Sequence, residues 1–310
     1  MKILFCGTAR FALPTLEQLI ENRWELLGVV TQPDRPRGRG RKIASPPVKE
    51  YLSGSLPVYQ PANPQELVDI INKYHLKPDV IVVVAYGMML PLQILNLPQL
   101  GCINLHPSLL PRYRGAAPIQ RAIMNGEQMS GITTMYLSKE MDAGDIILQE
   151  EIEIPEDATT GDMAISMAEQ GAIIMDKTLT MIQQGTAPRN PQDHHNATYA
   201  PPLSREEEKI DWKCDAKEIY NQIRGMNPKP GAYTELKGRI LKLWRSQVNE
   251  DEISGFLPGQ VIESNPKAGF CVQTGNGQIF LTEVQPAGRA RMSAADFLRG
   301  NKVSQGLSLG

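Results

Sequence analysis

The sequence predicts an α/β fold, a mostly parallel sheet flanked by helices, followed by a small antiparallel β-barrel. Three observations carry the expectation. The chain opens on a strand–helix–strand unit at residues 2–5, 11–22 and 26–31, which closes as a parallel pair with a right-handed crossover. Residues 79–85, DVIVVVA, are a β-branched run without alternation, as in a strand covered on both faces. Beyond residue 208 the texture changes to short strands at 231–236, 239–246, 259–263, 269–274 and 278–285, a pattern that suggests a barrel of the OB kind. The domains are therefore expected at 1–189, Rossmann-like, and at 208–310, OB-like, with a linker at 190–207.

Taken in order, the turn after the first strand, Gly7-Thr8-Ala9-Arg10, has one glycine where a dinucleotide fingerprint needs three, which excludes NAD binding. The helix at 11–22 places Leu13, Leu16, Leu19 and Ile20 on one face. Residues 32–47 form a long Gly/Pro-rich loop bearing Arg35, Arg37, Arg39, Arg41 and Lys42. Glycine allows close approach and arginine forks onto phosphate, so the loop is either a solvated flexible segment or a clamp for a phosphate backbone. A helix at 64–75 precedes the buried strand at 79–85, and residues 86–91 then lie on the ligand side of the sheet. Strands at 102–106 and 131–137 flank a helix at 119–124, and a turn with Asp142 and Asp145 leads into a strand at 146–154. Thr159 and Asp162 form a capping box for a long helix that Gly185 ends. The linker after it is polar and without period, and its His194-His195 pair reads as solvated. Asp215 and Glu218 cap the next helix, 216–226, and Asn276-Gly277 marks a hairpin.

Composition narrows the function classes. The chain has 310 residues, 41% hydrophobic and 21% charged, with a net charge of −2, which gives no bulk attraction to nucleic acid. No apolar run reaches the ~18 residues of a membrane span, and the first residues leave no room for a signal peptide. Cys6, Cys102, Cys214 and Cys271 form no CxxC pair, so neither a metal site nor a disulfide frame is expected, and the compartment is cytoplasmic. Against the negative total, residues 209–245 carry nine Lys/Arg and four Asp/Glu, a local track that includes Lys209 and Arg224.

The chemistry is expected at residues 102–118, CINLHPSLLPRYRGAAP. Alternation along the strand puts Asn104 and His106 on one face, and Pro107 stops the strand beside them. Asp142, after the next strand, reaches the same edge. An amide, an imidazole and a carboxylate together suit transfer of a carbonyl group: an oxyanion stabiliser, a proton carrier and a group that orients it. Cys102 shares the face but reads as packing, and no GxSxG elbow supplies a covalent nucleophile.

Asn104, His106, Ser108 to Pro111, Arg114 to Pro118 and Asp142-Ala143-Gly144-Asp145 resemble the 10-formyltetrahydrofolate-dependent formyltransferases. The likeness is greater to the methionyl-tRNA formyltransferases, through Gln32-Pro33-Asp34-Arg35-Pro36 with its GRGRK loop, Ile210-Asp211-Trp212 and Gln285-Pro286-Ala287-Gly288. The resemblance implies Asn104, His106 and Asp142 as catalytic residues and 10-formyltetrahydrofolate as co-substrate, with no metal. It implies a folate site at Tyr86, Gly87, Leu90, Ser108, Leu109, Leu110 and Pro111. It further implies methionyl initiator tRNA as acceptor, held by Arg35, Arg37, Arg39, Arg41, Lys42, Lys209 and Arg224, and a monomer without a membrane partner. Pro202 stands where many relatives carry a lysine, so a phosphate contact from that position is not expected. A small-molecule formyltransferase shares the catalytic residues but needs neither the basic loop nor the barrel. A tRNA-binding protein without activity would not need all three catalytic side chains.

Overall fold

The computed structural model describes residues 1–37, 40, 42–249 and 255–310. The chain divides into two compact units. The first comprises Met1–Gly115, Met129–Glu153 and Ala164–Ala200; the second comprises Ala116–Gln128, Ile154–Met163 and Pro201–Gly310. The elements run β1 (Lys2–Gly7), α1 (Leu13–Glu21), β2 (Glu25–Val30), β3 (Arg35–Arg37), β4 (Lys42–Ala44), α2 (Pro47–Leu52), β5 (Val58–Tyr59), α3 (Pro64–Lys73) and β6 (Val80–Val84). They continue with α4 (Leu92–Leu95), β7 (Cys102–His106), α5 (Pro118–Met124), β8 (Met129–Tyr136), β9 (Ile146–Glu153) and α6 (Thr160–Gln183). Then come α7 (Ala216–Gly225), β10 (Tyr233–Leu236), β11 (Arg239–Asn249), β12 (Val261–Asn265), β13 (Gly269–Gln273), β14 (Gln278–Pro286), β15 (Met292–Ser293) and α8 (Ala294–Gly300).

In the first unit seven strands form one sheet in the order β5-β2-β1-β6-β7-β8-β9. Pairs from β5 to β7 are parallel, and β7–β8 and β8–β9 are antiparallel, giving the mostly parallel Rossmann-like sheet expected. The order reverses between β1 and β6, so the crevice beyond their carboxyl ends is where such a sheet takes a ligand. The Thr8 hydroxyl ties this point together by donating to Tyr86 O at 2.8 Å. Every residue of β6 is buried, as its unbroken β-branched run requires. Helix α6 begins at the capping box: Thr159 N donates to Asp162 Oδ2 at 2.9 Å and Asp162 N to Thr159 Oγ1 at 3.3 Å. The Asp162 carboxyl is held below its usual range, chiefly by the Thr159 hydroxyl that donates to its Oδ2 at 2.7 Å and then by Thr159 N. Further along, a Cβ on Gly171 would lie 2.5 Å from Leu105 Cδ2, so α6 presses directly on β7. Leu105 faces the helix, and alternation turns Asn104 and His106 to the other side.

One element departs from the sequence reading. The basic segment is not wholly irregular: β3 and β4 pair antiparallel, Arg35 opposite Ala44 and Arg37 opposite Lys42, with Gly40 turning at φ +96°. Arg39 and Arg41 lie outside the described residues. The second unit has the antiparallel order β10-β11-β14-β13-β12, with β15 added to β14, but β10 and β12 do not pair among the described residues. The OB-like unit expected is therefore present as a sheet left open between β10 and β12. Residues 306–310 bridge the opening: Val261 N donates to Leu307 O at 2.9 Å, Leu309 N to Gly259 O at 2.8 Å, and Gly310 N to Glu235 O at 2.9 Å. That segment has no strand pattern, because backbone alone makes its bonds. The core beneath holds Ile210, Trp212, Ile219, Phe270 and Leu281.

Helix α7 carries its expected capping box at Asp215 and Glu218 and packs against α5, where Gly225 lets Met124 approach. Arg121 of α5 reaches both carboxylate oxygens of Glu207. This contact, with help from Ser204, holds the Glu207 carboxyl down from a usual 4.5 to about 2. A depressed carboxylate stabilises the fold above its unfolded value and loses that contribution as pH falls through the folded value. Both side chains are partly solvated, so the stabilisation is about 0.5–1 kcal/mol. Glu207→Gln is expected to lose it at pH 7, and urea denaturation should show the gap between variant and parent closing between pH 5 and pH 2.

Candidate active site

β7 ends at the site. Asn104 lies opposite Val83 of β6 and Met135 of β8, and it alone among the residues of β7 is not buried. His106, two residues on, is 4% exposed. Its Nε2 lies 2.9 Å from Tyr113 O. A carbonyl only accepts, so Nε2 carries the ring proton, and Nδ1 is the nitrogen free to exchange one. Asp142 Oδ2 lies 3.7 Å from Nδ1 and accepts from Gly115 N at 2.8 Å. Asp142 Oδ1 is left without a hydrogen-bond partner among the described residues.

The backbone at this edge is unusual. Ala85 at φ +44°, Tyr113 at φ +60° and Asp142 at φ +51° are left-handed without being glycine. Each such residue costs about 1–3 kcal/mol and persists only where its surroundings fix it. Ala85 directly follows β6, Tyr113 O meets the His106 ring, and Asp142 faces the same ring from the loop after β8. The 113–115 segment is fixed by residues 198–200: Tyr113 N donates to Thr198 Oγ1 at 2.8 Å, Arg114 N to Thr198 O at 2.9 Å, and Ala200 N to Arg114 O at 2.6 Å.

The residues expected to form the folate site divide into two kinds. Gly87 is exposed at φ +80° with open space where a Cβ would stand, and Met89 and Leu92 beside it are exposed and apolar. An accessible backbone with an apolar rim fits the edge and face of a flat heterocycle. Leu109 and Pro111 are half-buried. Tyr86 and Leu90 instead point into the core with Cys6, Ile81 and Ile94, and burial pushes the Tyr86 phenol up. Ser108 and Leu110 are buried too. The Ser108 hydroxyl donates to Arg112 O at 2.7 Å, and Thr133 Oγ1 donates to Ser108 O at 2.7 Å. Tyr86, Leu90, Ser108 and Leu110 therefore shape the loops from within, and the side chains available at the surface are their neighbours'. Cys102 packs in the same core with its thiol pushed up to about 12 by burial, which leaves no thiolate at neutral pH.

Of the cations expected to hold phosphate, Arg35 and Lys42 are exposed on the β3–β4 hairpin. The hairpin is anchored at its root, where Asp34 takes Lys49 Nζ at 2.8 Å and Gln60 Nε2 at 2.8 Å. Arg37 occupies β3, opposite Lys42. Lys209 is half-exposed and paired with Glu235 at 3.2 Å. Arg224 is different. It is 7% exposed, donates from Nε to Asn221 Oδ1 at 2.8 Å and from Nη1 to Ala158 O at 3.1 Å, and stacks over Tyr220. Helical periodicity turns it inward, so the surface phosphate contact expected of it gives way to a packing role in the second unit. Among the described residues no group of three or more His, Cys, Asp or Glu is arranged for a metal, and no helix is long and apolar enough to cross a membrane.

Sequence reasoning missed Gln192. It lies after α6 in the first unit, 6% exposed, and bonds to Arg114 and to the Asp142 loop. A polar, aperiodic stretch gives no sign that one of its amides is buried.

Residues 1–179 match the family model described as formyl transferase, and residues 202–302 match the one described as formyl transferase, C-terminal domain. The chain is 49% identical over 311 residues to the methionyl-tRNA formyltransferase of Moorella thermoacetica, covering 100% of this chain and 99% of that one. It is 48% identical over 311 residues to the methionyl-tRNA formyltransferase of Pelotomaculum thermopropionicum, with the same coverage. Among solved structures, HypX from Aquifex aeolicus in complex with tetrahydrofolic acid shares the fold at a TM-score of 0.69 and 21% identity, over 98% of this chain and 48% of that one.

Proposed function

This chain belongs to the formyl transferase family, and we propose that it transfers the formyl group of 10-formyltetrahydrofolate to the α-amine of methionyl initiator tRNA. It is a formyl-transferring enzyme whose full-length relatives carry the name methionyl-tRNA formyltransferase. The observation that carries the reading is the end of β7: a half-exposed Asn104 beside His106, with Asp142 3.7 Å from the imidazole. The folate co-substrate supplies an activated formyl carbon. In transfer, one carbon–nitrogen bond forms to the amine as another to the folate nitrogen breaks, and the proton the amine loses is the one the folate nitrogen gains.

The chain's own groups then divide the work. The Asn104 amide donates to the formyl oxygen as negative charge develops there. His106, its ring fixed by the bond to Tyr113 O, offers Nδ1 on the same face. Asp142 Oδ1 takes the proton that leaves the amine and passes it on, while Oδ2 stays on Gly115 N. Gly87, Met89, Leu92, Leu109 and Pro111 hold the pteridine by backbone and apolar contact. Arg35, Arg37, Arg39, Arg41 and Lys42 take the acceptor end of the tRNA by its phosphates. Lys209 and the cations of 208–310 hold the acceptor arm, with 1–189 as the catalytic domain and 190–207 as linker. The enzyme acts as a monomer in the cytoplasm.

A formyl-transfer assay with charged initiator tRNA, charged elongator tRNA and free methionine tests the reading. Formylation of the initiator alone is expected. Formylation of methionine but not of tRNA would make the enzyme a small-molecule formyltransferase and leave the C-terminal unit unexplained.

A further inference from the structure

Asp142 holds a left-handed conformation at φ +51°, and something must keep it there. Its own carbonyl accepts from Gln192 Nε2 at 2.9 Å, and the same nitrogen reaches Gly144 O at 2.8 Å. Both amide hydrogens of Gln192 are thus spent on the two carbonyls that bracket Ala143. The other end of the amide is equally occupied. Gln192 Oε1 accepts from Arg114 Nε at 3.1 Å and Nη2 at 2.6 Å. Arg114 is 3% exposed, and its Nη1 faces His194 Nδ1 at 3.3 Å.

This geometry has consequences. A guanidinium only donates, so Oε1 must face Arg114 and Nε2 must face the loop; the amide cannot flip. A positive charge on the oxygen also polarises the amide and strengthens its N–H donors, more so where water is excluded. Burying a guanidinium against a neutral acceptor is costly. A surface-held loop would not need it. The sequence neighbours of Arg114 complete the arrangement: Tyr113 O accepts from His106 Nε2 and Gly115 N donates to Asp142 Oδ2. One short segment therefore touches both His106 and Asp142, and its buried Arg114 side chain grips the loop of Asp142 through Gln192.

We propose that Gln192 and Arg114 are positioning residues for formyl transfer, a buried clasp that sets the Asp142 carboxylate against His106 and acts on the chemical step rather than on substrate binding. The proposal rests on the reading of Asp142 as a catalytic residue. It makes the linker part of the active site's support as well as a connection.

Gln192→Glu separates the two halves of the clasp. The carboxylate keeps the Arg114 pairing but loses both N–H donors and sets an oxygen against the carbonyls of Asp142 and Gly144. We expect kcat to fall about 10–100-fold, the scale of a small misplacement at the reacting centre. KM for charged tRNA and for the folate should stay within about two-fold, since no binding group is touched. Gln192→Asn, which keeps the amide and withdraws it by one methylene, should show the same split if the first variant folds poorly. A double-mutant cycle with Asp142→Asn reads the coupling: once the carboxylate is gone, either Gln192 variant should cost little further rate. If Asp142→Asn keeps full kcat, the catalytic reading of Asp142 fails and the proposal falls with it. If Asp142→Asn is slow but both Gln192 variants keep full kcat, or their losses multiply with its own, the proposal alone is overturned.

Discussion

His106→Ala is expected to lower kcat for formyl transfer by about 10²–10⁴-fold, the range for removing a placed acid–base group. The affinity for charged tRNA should change by less than about two-fold, because the side chain is buried at the end of β7 and reaches no surface where phosphate could sit. The truncation removes an imidazole held from both sides, by Tyr113 O at Nε2 and by Asp142 Oδ2 near Nδ1. It also leaves a cavity, which lowers stability without moving Asn104. Single-turnover rates with saturating substrates, read on protein that retains its cooperative urea transition, separate the two effects. A variant with near-parental kcat would place the chemistry elsewhere. A variant with lost tRNA binding would mean that His106 serves the loop and not the reaction.

Gly115→Ala is expected to damage fold and rate together. Gly115 adopts φ +122°, where an L side chain is strained whatever the space, and a Cβ there would lie 2.7 Å from Ala200 O. That oxygen belongs to backbone held against Arg114 and has no free side chain to swing away. The strain alone is worth about 1–3 kcal/mol, and relieving it shifts Gly115 N from Asp142 Oδ2. Gly87→Ala is the control. It is also left-handed, at φ +80°, but nothing lies within 4 Å of the added carbon. Urea midpoints should fall further for Gly115→Ala than for Gly87→Ala. The kcat of Gly115→Ala should fall even where the protein is fully folded. Equal midpoints would show that the contact with Ala200 carries no constraint.

What the sequence discloses and what it hides follow one physical line. The β6 run and the capping boxes at Thr159 and Asp215 are legible because each depends on local pattern: burial on both faces, or a side chain three residues from its partner. Asn104 and His106 could be paired from alternation alone. The open edge between β10 and β12, filled by residues 306–310, is invisible because backbone pairing with residues as distant as Glu235 leaves no periodic trace. Arg224 shows the converse error: its charge placed it among surface cations, but its position on α7 turns it inward to Asn221 and Ala158. Tyr86 and Ser108 are expected at a folate site, yet their side chains are buried. Gln192 and Thr198 act on the site from a segment with no pattern, through single bonds that only the folded chain brings together.

Direct transfer is the central chemical claim, and rapid quench with a labelled formyl donor tests it. Cys102 is buried with its thiol pushed up by burial, which leaves no nucleophile there, and His106 Nδ1 is the one side-chain nitrogen at the site on which a carried formyl group would be found. With enzyme and donor alone, no label should appear on protein. On adding charged initiator tRNA, label should pass to its α-amine in one phase at least as fast as kcat. Label trapped on the protein before tRNA arrives, and discharged to tRNA at a competent rate, would contradict direct attack and replace it with a formyl-enzyme.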